Sequence, residues 1–281
     1  MCASIVSGNP SNTAWAIIVA IAVMSSSAGA KPVPEKFPGA TLPDVTRVQD
    51  KLGSRSGVVD IATGNTVVAN PTGIVVGGKT LVPIANGAVD PAALEGGSAG
   101  NSIPSLTAAL PVSSPPDGST SPPVMLGVDR SLTYKVLFAL IYSLRKHGRF
   151  QVLVMAGGAI AAIPIELPTK PIKDDLRMVV SASKTEVRVW SLSGKEGTAK
   201  KPLLRVALDD KADDVARGNA AMQVRTTLEA VAKRWSGKKK VTFGKTLVVM
   251  ADGGLSMQFV ADLIVAARAQ FPNIALSAGF E

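Results

Sequence analysis

Two stretches of the chain carry the same order of apolar and polar positions. Residues 124–156 read VMLGVDRSLTYKVLFALIYSLRKHGRFQVLVMA, and residues 247–278 read LVVMADGGLSMQFVADLIVAARAQFPNIALSA. Each opens on a short apolar run ending in aspartate, Asp129 or Asp252. After a brief turn, apolar residues recur at helical spacing. They are Leu132, Val136, Leu140, Ile141 and Leu144 in the first copy, and Leu255, Phe259, Leu263 and Ile264 in the second. That spacing predicts amphipathic helices over 131–147 and 255–270. Arg145 and Arg268 hold equivalent places near the helix ends, where a cation suits the dipole. Gly148 and Pro272 break the helical pattern, and alternation at Phe150, Val152 and Val154, or at Ile274 and Leu276, predicts a strand. The copies therefore align over a β-α-β unit whose strands should be parallel neighbours joined by a right-handed crossover.

Each unit has a similar approach. GIVVGGKTLVPI at 73–84 reads as a hairpin turning at Gly77-Gly78, and a short helix follows around Ile103–Leu110, with Ser102 as its cap and Pro104 in its first turn. RMVVSASKTEVRVWSL at 177–192 reads as two strands, followed by a helix around Ala220–Trp235 with Val224, Leu228, Val231 and Trp235 on one face. The expected fold is α+β: two tandem small domains, each a mixed β-sheet with two helices packed on one face in the order ββαβαβ. Their expected limits are 57–167 and 176–281, separated by the Pro- and Lys-containing stretch 168–175. Ahead of them, AWAIIVAIAVM at 14–24 is short for a spanning helix, and Ala28-Gly29-Ala30 fits a signal cleavage pattern, so residues 1–30 read as a signal peptide or membrane anchor. Pro32, Pro34, Pro38 and Pro43 make 31–56 an extended tether.

Charge and chemistry narrow the function. The net charge is +9, but the excess spreads over the whole chain and aromatic residues are only 4%, which argues against a nucleic-acid interface. The densest basic patch is Lys233, Arg234, Lys238, Lys239, Lys240 and Lys245. It reads as a solvated loop after a helix, or as a contact for an acidic polymer or anionic headgroups. A single cysteine, Cys2, excludes an intrachain disulfide, and a single histidine, His147, sits in a basic helix end before a glycine. Asp129 and Asp252 could be taken for an acid pair, but repeated aspartates after a strand more simply cap the next helix. Gly157-Gly158 lacks the remaining residues of a phosphate loop. No cofactor or metal is expected, and an enzyme is the weakest reading.

The segments VMLGVDRSLTYKVLFALIYSLRKHG with FQVLVMA, and MADGGLSMQFVADLIVAARAQFPNIALSAGFE, each resemble the C-terminal signature of the ExbD/TolR family; SLSGKEGT at 191–198 is similar to second copies in tandem chains of that type. The resemblance spans roughly 57–281. It implies a protein of the bacterial envelope, in the periplasm or anchored in the inner membrane. Such proteins act beside a multi-span ExbB/TolQ-like partner, with domains that dimerise and contact other envelope proteins or peptidoglycan. Family members carry an aspartate in their transmembrane helix for proton coupling. Here residues 13–30 hold no Asp or Glu, and the first acidic residue is Glu35. The expectation is therefore a non-enzymatic partner-binding protein of a transport or motility complex. The alternative is a proton-coupled transport subunit whose carboxylate comes from another chain.

Overall fold

The computed structural model describes residues 39–48, 65–112, 121–167, 176–236, 244 and 246–278. The hydrophobic run 14–24, the Ala28-Gly29-Ala30 pattern and most of the proline-rich tether lie outside the described residues. The first copy contributes β1 (Thr66–Asn70), β2 (Gly73–Val76), β3 (Lys79–Ala85), β4 (Ala88–Val89), α1 (Pro104–Ala109), β5 (Val124–Val128), α2 (Tyr134–Ser143), β6 (Phe150–Ala156) and β7 (Ala159–Glu166). The second contributes β8 (Met178–Ala182), β9 (Glu186–Ser191), β10 (Leu204–Ala207), α3 (Asp214–Trp235), β11 (Thr246–Ala251), α4 (Met257–Arg268) and β12 (Asn273–Ala278).

The β-α-β units form where periodicity placed them. β5 pairs parallel with β6 across α2, and β11 pairs parallel with β12 across α4. The approaches match too. β1 lies parallel to β5 and antiparallel to β2, as β8 lies parallel to β11 and antiparallel to β9. Both halves thus run in the strand order third-second-first-fourth-fifth, counting β1, β2, β3, β5, β6 in one and β8, β9, β10, β11, β12 in the other.

The halves do not stand apart as two sheets. One twelve-stranded mixed sheet runs β10-β9-β8-β11-β12-β7-β6-β5-β1-β2-β3-β4. The joining element is β7, antiparallel to β6 along its whole length and parallel to β12 through Ile165↔Ile274 and Glu166↔Ala275. A central-type strand ending at β6 or β12 would leave a row of unpaired backbone groups, and β7 covers both. Gly157-Gly158, at φ +57° and +81°, form the two-residue turn from β6 into β7, matching Gly77-Gly78 between β2 and β3. Both central residues of such a turn need positive φ, which is why glycine fills them.

One large core cluster unites residues of all four helices with alternate residues of the strands, among them Leu126, Val152, Ile163, Val180, Val249 and Leu276. All four helices therefore lie on one face of the sheet. The intervening strand residues form two smaller clusters on the other face, Met125, Leu153 and Ile160 with Leu42, and Val179, Trp190, Val248 and Ala275. α4 is buried along its entire length from Met257 to Ala267, between α2 and α3. Such a helix has no solvent side on which to place a polar group. No helix among the described residues is long and apolar enough to cross a membrane.

Helix ends differ in detail from the sequence expectation. α1 begins with Pro104 at its first position, but its cap is Ile103 rather than Ser102, and the Ile103 amide donates to Ser143 Oγ at 2.8 Å. α2 starts at Tyr134, later than 131, and passes through a tight 3₁₀ turn over Arg145–His147 before stopping at Gly148, φ +73°. α3 starts earlier than expected, at Asp214, because Asp213 Oδ1 accepts from the Ala216 amide at 2.8 Å.

Candidate functional site at the junction of the two copies

The turns that follow β5 and β11 meet face to face. Thr133 and Ser256 form an antiparallel bridge. Around it the Tyr134 amide donates to Leu255 O at 2.8 Å, and the Met257 amide donates to Leu132 O at 2.7 Å. One step further, Lys135 N donates to Gly253 O at 3.0 Å and Gln258 N to Arg130 O at 3.2 Å. Under the alignment of Asp129 with Asp252, each bond is the counterpart of the other. Residue i of one copy meets j of the second, and j meets i, as at a two-fold interface between identical subunits. The chain therefore contains a pseudo-two-fold pairing of its own repeats, centred between Thr133 and Ser256. Tyr134, 1% exposed, seals the junction and donates its hydroxyl to Ser277 O at 2.9 Å. Burial raises its pKa.

Asp129 and Asp252 flank this pairing, and neither caps a helix through its side chain. The N-cap of α2 is Thr133, and that of α4 is Ser256, whose hydroxyl accepts from Phe259 N. The two aspartates instead end their strands in the same way, with Asp129 N donating to Ala69 O and Asp252 N to Ala182 O. Only Asp129 is deeply used as an acceptor. Its Oδ1 takes the Ser131 amide at 2.9 Å and the Ser131 hydroxyl at 2.6 Å, and its Oδ2 takes the Thr41 amide at 2.6 Å. A short Asp turn explains the two Ser131 contacts, whereas the Thr41 amide comes from 88 positions earlier in the chain.

Thr41 belongs to a strap, residues 39–48, that crosses the junction. It pairs with the end of β6 through Met155 N to Pro43 O and Val45 N to Met155 O, and Gly157 N donates to Thr46 Oγ1. It then reaches the second copy. Gln258 grips the Asp44 backbone from both sides, Oε1 accepting from Asp44 N at 3.0 Å and Nε2 donating to Asp44 O at 2.8 Å. Arg47 Nη2 lies 2.6 Å from Asp262 Oδ2, and Arg225 Nη1 donates to Val48 O at 2.8 Å. Asp262 is wholly buried, and its other oxygen accepts from Gln258 Nε2 at 3.1 Å. Burial is the largest influence on this carboxyl, and the Arg47 and Gln258 bonds pull the other way; its pKa is pushed up to about 6. Gly218 of α3 makes room for the ion pair, since a Cβ there would come within 2.7 Å of Arg47 Nε.

Sequence reasoning did not single out Asp262, Gln258 or Arg47. The available signal was a lone acid inside an otherwise apolar helix, with Gln258 one turn earlier on the same face. The equivalent positions in the first copy are Ala139 and Lys135, so the polar pair belongs to the second copy alone.

The remaining predicted residues are scattered. Arg145 is exposed, lies over the Tyr142 ring at 4.3 Å and donates to Tyr142 O. Arg268 is half-buried, its Nη1 has no partner among the described residues, and burial lowers its pKa. The repeat aligns the two arginines in sequence without giving them one role. Lys233 is exposed, whereas Arg234 donates to both oxygens of the buried Glu196, at 3.0 and 2.9 Å. Lys238, Lys239, Lys240 and Lys245 lie outside the described residues. His147 contacts Leu110 O at 3.0 Å, as part of the link between the ends of α1 and α2. Among the described residues, no group of three or more His, Cys, Asp and Glu side chains comes together as a metal-binding set.

No protein-family model matches the chain, and no curated protein matches it.

Proposed function

We propose that this chain is a non-enzymatic envelope protein of the ExbD/TolR type, in which two copies of the domain are fused into one internally paired binding module. The observation that supports this reading is the reciprocal bonding about Thr133 and Ser256. The resemblance implies domains that act as dimers, and here the second copy occupies the place of a second subunit. The strap fits the same role. It is the described part of the expected tether, 31–56, and is fastened to both copies, through Asp129 and Met155 on one side and through Gln258 and Asp262 on the other. A pull transmitted along the tether would reach the junction rather than one copy.

The reading places the chain in the periplasm or on the inner membrane, working beside a multi-span ExbB/TolQ-like protein, other envelope proteins or peptidoglycan. Its test is affinity purification of the tagged chain from detergent-solubilised envelopes. The expected result is recovery of a multi-span membrane protein in fixed ratio. A chain that stays in the cytoplasmic fraction, or emerges from the envelope alone under mild solubilisation, would remove the proposal.

A further inference from the structure

Loop 191–203, between β9 and β10, is more tightly built than an exposed connection requires. Its only acid, Glu196, is 3% exposed and turned inward, where its carboxylate accepts from Arg234 Nη1 and from Trp235 Nε1 at the end of α3. The Glu196 amide donates to Ser191 Oγ at 2.9 Å, and the Ser191 amide donates back to Glu196 O at 3.1 Å. Gly197, at φ +73°, closes the loop on itself, and a Cβ there would come within 2.6 Å of Leu203 N and 2.8 Å of Lys201 O. A rigid loop set on a scaffold is a common carrier of binding function.

The loop presents an uncommon pair of features. Leu192 is 56% exposed, and its amide donates to the carbonyl of the exposed Arg177. Lys200 and Lys201 are exposed on the same loop, and Lys233 is exposed beside Arg234, the residue that Glu196 holds. With Glu196 turned inward and neutralised by Arg234, the outward charge of this region is positive. An exposed apolar side chain on a loop that also carries exposed cations suits a surface that offers phosphates outside and hydrocarbon beneath. A purely ionic polymer would give Leu192 nothing to enter.

We infer that loop 191–203 and the end of α3 form a docking face for anionic phospholipid headgroups, with Leu192 entering the interface while Arg177, Lys200, Lys201 and Lys233 hold the phosphates. The envelope reading explains where such a surface would be met, but the test does not depend on an ExbB/TolQ-like partner. The full chain is sedimented with vesicles of phosphatidylcholine alone and with vesicles that also contain phosphatidylglycerol. The 14–24 run is common to every variant, so differences between variants report the loop. Retention should be stronger on the anionic vesicles and fall as salt rises from about 0.1 M to about 1 M, where the screening length shrinks from about 10 to about 3 Å. Lys200→Glu, Lys201→Glu and Lys233→Glu together should weaken it by about tenfold or more. Leu192→Ser should weaken it at unchanged charge, and Lys79→Glu, on β3, should leave it unchanged. Circular dichroism of each variant guards against unfolding. Equal retention on neutral and anionic vesicles, a folded triple variant that binds as wild type, or retention on isolated peptidoglycan with none on vesicles would each overturn the inference.

Discussion

Arg47 and Asp262 are 215 positions apart in the chain and 2.6 Å apart in the fold. Asp262 has no exposed surface, while about a third of the Arg47 side chain reaches water. Among the described residues the acid therefore depends on the strap for its cation partner. A buried pair of this kind is costly to break from one side, about 3–5 kcal/mol when the other charge is left unpaired. Its value lies in fixing where the strap sits.

Gly218→Ala tests that geometry without touching either charge. The added Cβ would collide with the Arg47 guanidinium at 2.7–2.9 Å and push it off Asp262. Alanine in a helix is otherwise favoured over glycine by about 1 kcal/mol. The expected net effect is a loss of about 2–3 kcal/mol in urea unfolding, below the full cost of a stranded charge because Asp262 can take up a proton. In an Asp262→Asn background, the same glycine change should be neutral or stabilising. Equal effects in both backgrounds would show that the clash with Arg47 is not what matters.

The pH dependence of stability gives a second measurement. Asp262 titrates near 6 in the fold against 3.8 as an ordinary side chain, with Arg47 and Gln258 lowering it and burial and Asp214 raising it. The folded state therefore holds the proton more tightly than the unfolded state. This contribution is fully present below about pH 4 and is lost as pH rises through about 6. Two units correspond to about 3 kcal/mol. Other carboxylates titrate in the same window, so the quantity to follow is wild type minus Asp262→Asn. That difference should shift toward the wild type by about 2–2.5 kcal/mol between pH 7 and pH 4. A difference that stays flat over this range would mean that Asp262 is charged throughout.

Glu196 supports a third prediction. Its carboxylate is buried beneath Arg234 and Trp235, while the Arg234 side chain remains half exposed. Glu196→Gln keeps the shape and removes the charge, so the loss should be about 1.5–3 kcal/mol, the scale of a hydrogen bond to a charged group. Trp235 should report it directly through a change in indole fluorescence. Glu229→Gln, which removes the charge from an i,i+4 pair with Arg225, should cost less than half as much. A reversal of that order would remove Glu196 as the anchor of its loop.

The parts of the fold that could be read in the sequence were those in which one residue's neighbours in the chain decide its burial. α2 and α4 were visible because Leu132, Val136 and Leu140, or Leu255, Phe259 and Leu263, repeat at helical spacing. β6 and β12 were visible by alternation. β7 was not, because AIAAIPIE mixes small residues with a proline and carries little contrast between its faces. Missing β7 meant missing the join, since it alone connects β6 to β12. Asp262 was hidden for a related reason. On an isolated amphipathic helix it would sit on the polar side, and only the packing of α3, the strap and the first copy removes that side from water. Asp129 and Asp252 were correctly placed at strand ends, but the N-cap positions fall four residues later, at Thr133 and Ser256, and only Ser256 caps through its side chain.

The reciprocal pairing makes the strongest demand on the whole chain. If the two copies meet as subunits do, the covalent link between them should be dispensable for assembly. A break can be introduced between Leu167, the last described residue after β7, and Leu176, the first before β8, and the two pieces expressed together. The first piece would retain β7 and the strap, and the second would retain α4 and β12. Rejoining them would restore the four junction bonds around Thr133 and Ser256, the short β7–β12 pairing, the Gln258 clasp on Asp44 and the Arg47–Asp262 pair. It would also bury α4, which packs against α2 and whose Met257, Val260 and Ala261 are fully covered in the whole chain. Each piece alone would expose that surface, so the pieces should copurify one to one and be poorly soluble apart. Association should weaken by about tenfold or more when Arg47→Ala and Gln258→Ala are combined, since each removes a contact to a buried or backbone polar group worth about 1 kcal/mol or more. Two pieces that fold separately and ignore each other in solution would show that the single sheet is not the stable arrangement, and the internal-dimer reading would fall with it.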